Sequence, residues 1–277
     1  MNSVGSRQEE GGGWPGQDRI RRGGRRRAKR AHTHVEEVEM KSRVRILTLI
    51  LLAAAASVAR AEKPALLDRA AVDPAKLLPG PPTAGSAEAR AELELMLSVQ
   101  DKRTHADIDR CASEVKLGVE AFQGVLGPWC TKKNLPGLAK LFADLDKDSK
   151  SMTNAAKDHF RRPRPEHEEP RIHVPIADDT TFAYPSGHAT RGIMYALILA
   201  ELAPEHRDAL LDRGREIGWD RVVAGLHHPS DIMAGRVLGQ ALAQSLLADP
   251  KFQSQLAELK TELHDAQQHA VEPAGNR

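Results

Sequence analysis

Tyr184-Pro185-Ser186-Gly187-His188 stands directly ahead of a helical run that continues to about Leu202. Pro185 and Ser186 mark the start of that helix, whose first backbone amides have no partner within it and point outward, ready for an anion. Gly187 lets the backbone approach whatever binds there. Ile193, Leu197 and Ala200 follow at core-facing spacing. The pattern repeats downstream. Pro204 to about Val223 predicts a second helix, and Pro229 to about Leu247 a third, with Met233, Val237, Leu238 and Leu242 facing inward and Ala234 and Gly235 allowing close packing. Phe252, Leu256, Leu259 and Leu263 mark a final amphipathic helix. Upstream, Ser86 opens a helix carrying Leu93, Leu95, Met96 and Val99, and a second is expected from about His105 to Phe122. Two more are expected over Leu135 to Asp146 and about Ser149 to Phe160, the latter stopped by Pro163. No strand pattern competes, and no internal repeat is evident. The expectation is an all-α, single helical-bundle domain with its site at helix ends and loops.

Two distant stretches share the chemistry of the first. Lys157 is followed by Arg164-Pro165, and Arg221 by His227 and Asp231. Transfer of a phosphoryl group spreads negative charge over its equatorial oxygens, so catalysis rests on positioning and electrostatic stabilisation. Lys157, Arg164 and Arg221 supply three cations, and the arginines offer the planar fork that matches paired oxygens. Ser186 adds a hydroxyl. His227 is the candidate nucleophile, forming a phosphohistidine. Asp231, four residues on and behind Pro229, is placed to hold its imidazole in one tautomer. His188 remains as general acid for the leaving oxygen, then as base for water. Arg162 competes with Arg164 for register; the seven-residue step from Lys157 favours Arg164 if both lie on one helix face. His228 competes with His227, and the spacing from Arg221 and to Asp231 favours His227.

This three-part pattern, with Gly225-Leu226-His227-His228-Pro229-Ser230-Asp231-Ile232-Met233-Ala234-Gly235 around its last part, resembles the type 2 phosphatidic acid phosphatase superfamily. The likeness runs from about Leu78 to about residue 247 and is nearest to bacterial class A non-specific acid phosphatases. It implies metal-independent, broad-specificity hydrolysis of phosphomonoesters with no cofactor and small phosphorylated substrates. Because His188 must begin protonated and His227 neutral, the expected optimum is about pH 5–6, near an ordinary imidazole pKa. A vanadium haloperoxidase, a lipid phosphatase and a non-catalytic phosphate-binding module remain as alternatives. One position departs from the pattern: Asp220 stands where the soluble phosphatases carry Ser, and is expected to turn away towards a cation.

The formal net charge of +2 conceals an asymmetry. Residues 1–39 are rich in Gly and Arg, and read as disordered or as a mis-assigned start. Met40 opens a basic segment, Ile46 to Val58 is apolar, and Ala59-Arg60-Ala61 offers small residues for cleavage, so 40–61 reads as a secretory signal peptide. Beyond it, acidic residues outnumber basic ones, which removes the case for a nucleic-acid partner. Residues 62–277 are then a helical, phosphatase-like domain, periplasmic or secreted, without stable membrane insertion once the signal is cleaved and with a homo-oligomer left open. In an oxidising compartment, Cys111 and Cys130 are expected to form one disulfide, contributing about 3 kcal/mol by loop entropy. Glu168-Glu169 and Asp178-Asp179 are candidate carboxylates at the pocket rim, with solvated loop charge as the simpler reading. His167 and His173 lack metal-ligand spacing and are assigned nothing.

Overall fold

The computed structural model describes residues 66–67, 71–177 and 181–271, and these are helical with no strand among them. The expected leader, the start before it and Asp178-Asp179 lie outside the described residues. The helices are α1 (Pro74–Leu77), α2 (Ala87–Lys102), α3 (His105–Ser113), α4 (Gln123–Leu126), α5 (Pro136–Phe160), α6 (Pro165–Glu168), α7 (Gly187–Leu202), α8 (Arg207–Val223), α9 (Pro229–Leu247) and α10 (Pro250–Val271). Short 3₁₀ turns precede α4 and α8, at Val119–Phe122 and Pro204–His206.

The helix that follows the opening motif is the axis of the bundle. Thirteen of the sixteen residues of α7 are buried, on every face, which is the signature of a central helix. It is flanked by α8 and α9 and backed by α5 and α10. Contact with α9 is close enough to require glycine: a Cβ on Gly239 would lie 2.3 Å from the Thr190 carbonyl oxygen. Large side chains fill the opposite side. Phe142 of α5 stacks on Tyr195 of α7 with ring centroids 3.9 Å apart, and Tyr195 Oη donates to the Phe142 carbonyl at 2.8 Å. Phe252, Leu256, Leu259 and Leu263 seat α10 on the same core, as their spacing predicts.

Several expectations need correction. The helix beginning at His105 ends at Ser113, because the Lys116-Leu117-Gly118 link interrupts it before the 3₁₀ turn and α4. The two helices expected between residues 135 and 160 are one, since Ser149, small and fully buried, continues the stripe from Leu145 to Met152 without a break. In α9 the inward stripe is Ile232, Ala234, Gly235, Leu238 and Leu242, whereas Met233 and Val237 are 57% and 39% exposed. The disulfide does not form. Cys111 packs with Val223, Ala224 and Leu226, and its thiol donates to the Asp220 carbonyl at 3.2 Å. Cys130 packs in the main core and donates to the Val119 carbonyl at 3.2 Å. Both thiols are free and buried, and burial pushes them up to about 11 and about 12 respectively.

Candidate active site

Three turns of chain deliver the charged side chains. At the end of α5, Arg161 adopts a left-handed conformation (φ 51°) and its amide donates to the Lys157 carbonyl at 2.8 Å, closing the helix. The chain then runs through Arg162-Pro163-Arg164-Pro165, and the two arginines turn to different partners. Arg162 enters the core, where it pairs with Glu92 and Asp231, each at 2.7 Å. Arg164 donates from Nε to the Thr181 carbonyl at 2.9 Å and from NH1 to the Leu226 carbonyl at 2.8 Å. Arg164 therefore does not share a helix face with Lys157, as the seven-residue spacing suggests; the helix has already ended, and the Pro-flanked link places it. Both reach the same cavity nonetheless, and Lys157 Nζ donates to Thr181 Oγ1 at 2.7 Å.

At the start of α7, Ser186 Oγ accepts the Ala189 amide at 3.3 Å and so caps the helix. Ser186 is fully buried and is not among the cavity-lining residues, whereas Gly187 and His188 are. His188 Nε2 lies 3.1 Å from the Glu114 carbonyl oxygen. A carbonyl only accepts, so Nε2 carries the proton and Nδ1 is the nitrogen left for exchange.

The third turn links α8 to α9. Arg221 closes α8 with NH2 donating to Glu114 Oε2 at 2.9 Å and to the Cys111 carbonyl at 2.8 Å, while its Nε makes no hydrogen bond. Asp220 faces the other way, gripped by Arg110 at 2.8 and 3.0 Å. Gly225 then reverses the chain at φ 82°, a conformation a side chain rarely adopts. His227 follows, with Nδ1 3.3 Å from Asp231 Oδ2 and Nε2 3.1 Å from Arg164 NH1. A guanidinium only donates, so Nε2 holds a lone pair and Nδ1 holds the proton. His228 is buried and turned away from the cavity. Its Nδ1 lies 3.1 Å from the same Asp231 oxygen, which also accepts the His228 amide at 2.8 Å.

The result is a cavity of about 570 Å³ lined by Lys157, Arg164, Gly187, His188, Arg221 and His227 together with residues the sequence reading left out. Electrostatics sharpen its character. Burial, reinforced by Arg164 and Lys157, lowers His227 to about 3, despite the opposing pull of Asp231. Burial and the neighbouring Arg191, Arg221 and His227 hold His188 well below an ordinary imidazole. Burial alone would raise Asp231, but hydrogen bonds from His227 and His228 keep it far below the usual carboxylate range. These shifts favour the neutral form of both imidazoles, and the carboxylate behind His227 is ionised.

Glu114 and Arg191 escaped the sequence reading. Nothing in the sequence marks Glu114, which sits just where α3 gives out; its carboxylate binds Arg221 and Arg213, and its carbonyl holds His188. Burial, with repulsion from Asp220, pushes it up to about 7. Arg191 had a signal: it lies three residues after His188, one turn along the same helix. The rim carboxylates do not materialise among the described residues. Glu169 pairs with Arg171 at 2.7 Å and Glu168 lies 3.7 Å from His228; neither lines the cavity.

Residues 148–253 match the family described as the PAP2 superfamily. A non-specific acid phosphatase of Providencia stuartii is 33% identical over 204 residues, 69% of this chain and 81% of that protein. The chain belongs to the PAP2 superfamily. Another member, a non-specific acid phosphatase of Salmonella typhimurium strain LT2, is 35% identical over 141 residues, half of this chain and 53% of that protein. A lipid A 1-phosphatase of Rhizobium johnstonii is 32% identical over 96 residues, 32% of this chain and 38% of its own length. This PAP2 protein is accordingly an enzyme of the phosphatase class. No helix among its described residues is long and apolar enough to cross a membrane.

Proposed function

We propose that the protein hydrolyses small phosphomonoesters through a phosphohistidine on His227, in the periplasm or outside the cell. One observation carries this reading: His227 Nδ1–H donates to Asp231 at 3.3 Å, which leaves the Nε2 lone pair for a cavity that His188 also lines. Lys157, Arg164, Arg221 and the first amides of α7 neutralise the phosphoryl oxygens. On binding, Arg164 NH1 transfers its hydrogen bond from Nε2 to a phosphoryl oxygen and frees the lone pair. Nε2 then attacks phosphorus in line, forming the N–P bond as the ester P–O bond breaks. The departing oxygen takes a proton from His188 Nδ1. Water next loses a proton to the same nitrogen and attacks phosphorus, and breaking the N–P bond releases inorganic phosphate and neutral His227. The charge is balanced by side chains and helix amides, so the reading calls for no metal.

Burial and the cations beside it disfavour the protonated form of His188. The bound phosphate offsets the repulsion from Arg191 and Arg221, so the anion itself brings His188 its proton. The test is rapid quench into alkaline denaturant during turnover of a radiolabelled aryl phosphate, followed by alkaline hydrolysis and phosphoamino-acid analysis. Phosphohistidine that accumulates in the parent protein and is missing from His227→Ala is the expected result. Full activity in His227→Ala, or label on another residue, overturns the mechanism. Turnover of phosphatidate in mixed vesicles but not of soluble esters would instead select the lipid-directed branch to which the Rhizobium protein belongs by name.

A further inference from the structure

Three further cations on the cavity wall are not among the groups that hold the scissile phosphate: Lys116 in the link after α3, Lys150 on α5 and Arg191 on α7. Lys150 lies two turns before Lys157 on the same face of α5, about 10 Å along the helix at its ordinary rise per residue. Asp146, one turn further out, lies 3.0 Å from Arg191 Nε. Arg191 joins this outer group to the inner one. Its NH1 would sit 3.2 Å from a Cβ on Gly187, so the guanidinium lies over the start of α7. Its side chain is only 11% exposed, and its Nε–H makes no hydrogen bond, although the Asp146 carboxylate is within ion-pair reach. Three cations here face a single lining carboxylate, which leaves the outer wall positive.

We propose that Arg191, Lys150 and Lys116 form a second anion subsite. The substrates it favours are sugar-sized phosphomonoesters that carry a second phosphate about 6–10 Å from the scissile one, the separation of Lys150 from Lys157 along α5 less the reach of flexible side chains. The cavity has room for both groups, lying within the usual range for small-molecule sites. This rests on the phosphatase reading, and deepens it by naming the substrate class.

The experiment compares the parent protein with the double variant Lys116→Ala/Lys150→Ala. The substrates are p-nitrophenyl phosphate, fructose 6-phosphate and fructose 1,6-bisphosphate, at low and high ionic strength. Both lysines are exposed, so the fold is not at risk. The bisphosphate is expected to be the best of the two sugar substrates. The double variant should lose about tenfold in kcat/KM on the bisphosphate, through KM, and less than about twofold on the other two, with the gap narrowing as salt screens it. Lys150→Arg with Lys116 intact should retain the preference. Equal losses on all three substrates, or no preference for the bisphosphate in the parent, overturn the second subsite while leaving the phosphatase reading intact. If the parent protein turns over none of the three, both readings fall.

Discussion

Glu114 touches two of the proposed site residues at once, and its contribution can be separated from theirs. Its carboxylate holds Arg221 and its carbonyl fixes the tautomer of His188. With its carboxyl pushed up to about 7, it gains negative charge as pH rises through neutrality, which weakens the cradle for an anion. Glu114→Gln keeps the shape and the carbonyl. The expected outcome is a roughly tenfold fall in kcat from a looser Arg221, less than the roughly 10²–10³-fold cost of losing an oxyanion donor outright, together with loss of the rise in KM above about pH 7. A pH series of both constants checks it. His188 gives a second prediction. The kcat/KM profile reports the empty enzyme and the kcat profile the complex, so the alkaline limb should lie at higher pH in kcat than in kcat/KM. Coincident limbs would remove the idea that the substrate protonates its own acid. At this scale the sequence was generous where function is dense: Lys157, Arg164, Gly187, His188, Arg221 and His227 line one cavity. Ser186 lies just behind that lining as a helix cap, because a hydroxyl that satisfies a helix amide looks identical, in sequence, to one that binds a ligand.

Among the elements, α7 and α9 set the tolerance of the site. The Ser186 amide donates to the Asp231 carbonyl at 3.0 Å, so the first turns of the two helices are directly bonded. Gly239→Ala would place a methyl 2.3 Å from the Thr190 carbonyl and 2.4 Å from Ile193 Cγ2, and backbone cannot yield as a side chain can. A loss of roughly 1–3 kcal/mol is expected for such overpacking, seen as a lower Tm. KM for an aryl phosphate should rise as α9 shifts its first turn. The helices themselves were readable from apolar spacing and from Pro204 and Pro229 near their starts. Misreadings fell where the period is carried by polar or small residues. Ser149 bridges two halves of α5 that look separate, and the stripe of α9 is one residue out of step with Met233 and Val237, which are apolar yet exposed.

For the molecule as a whole, buried neutral imidazoles make stability depend on pH. The folded-state pKa of His227 is lowered to about 3 from an unfolded value near 6.5. Its stabilising contribution is therefore complete above about pH 6.5 and is lost as pH falls towards 3, because only the unfolded chain takes up the proton easily. The slope from this one group approaches about 1.4 kcal/mol per pH unit between those limits. His227→Gln should flatten the fall of Tm with acid, and an unchanged slope would assign the acid sensitivity elsewhere. The two thiols give a complementary test: thermal unfolding should be the same with and without reductant, and both cysteines should react with a maleimide only in denaturant. The pairing of Cys111 with Cys130 was a matter of compartment chemistry rather than of geometry. Only the fold shows that Cys111 is tied to α8 through the Asp220 carbonyl and Cys130 to the Val119 carbonyl.

Asp231 is where segments distant in sequence meet. One oxygen receives Arg162 from the end of α5, the other receives both histidines, and its main chain receives the start of α7. Breathing at one of these junctions exposes the others, so the machinery should open as one unit or not at all. Under native-state hydrogen exchange, the amides of Ser186 and His228 should share a single opening free energy despite lying 42 positions apart in the chain. Heating should then silence the enzyme in one step, with no warm intermediate that still binds phosphate but has ceased to turn over.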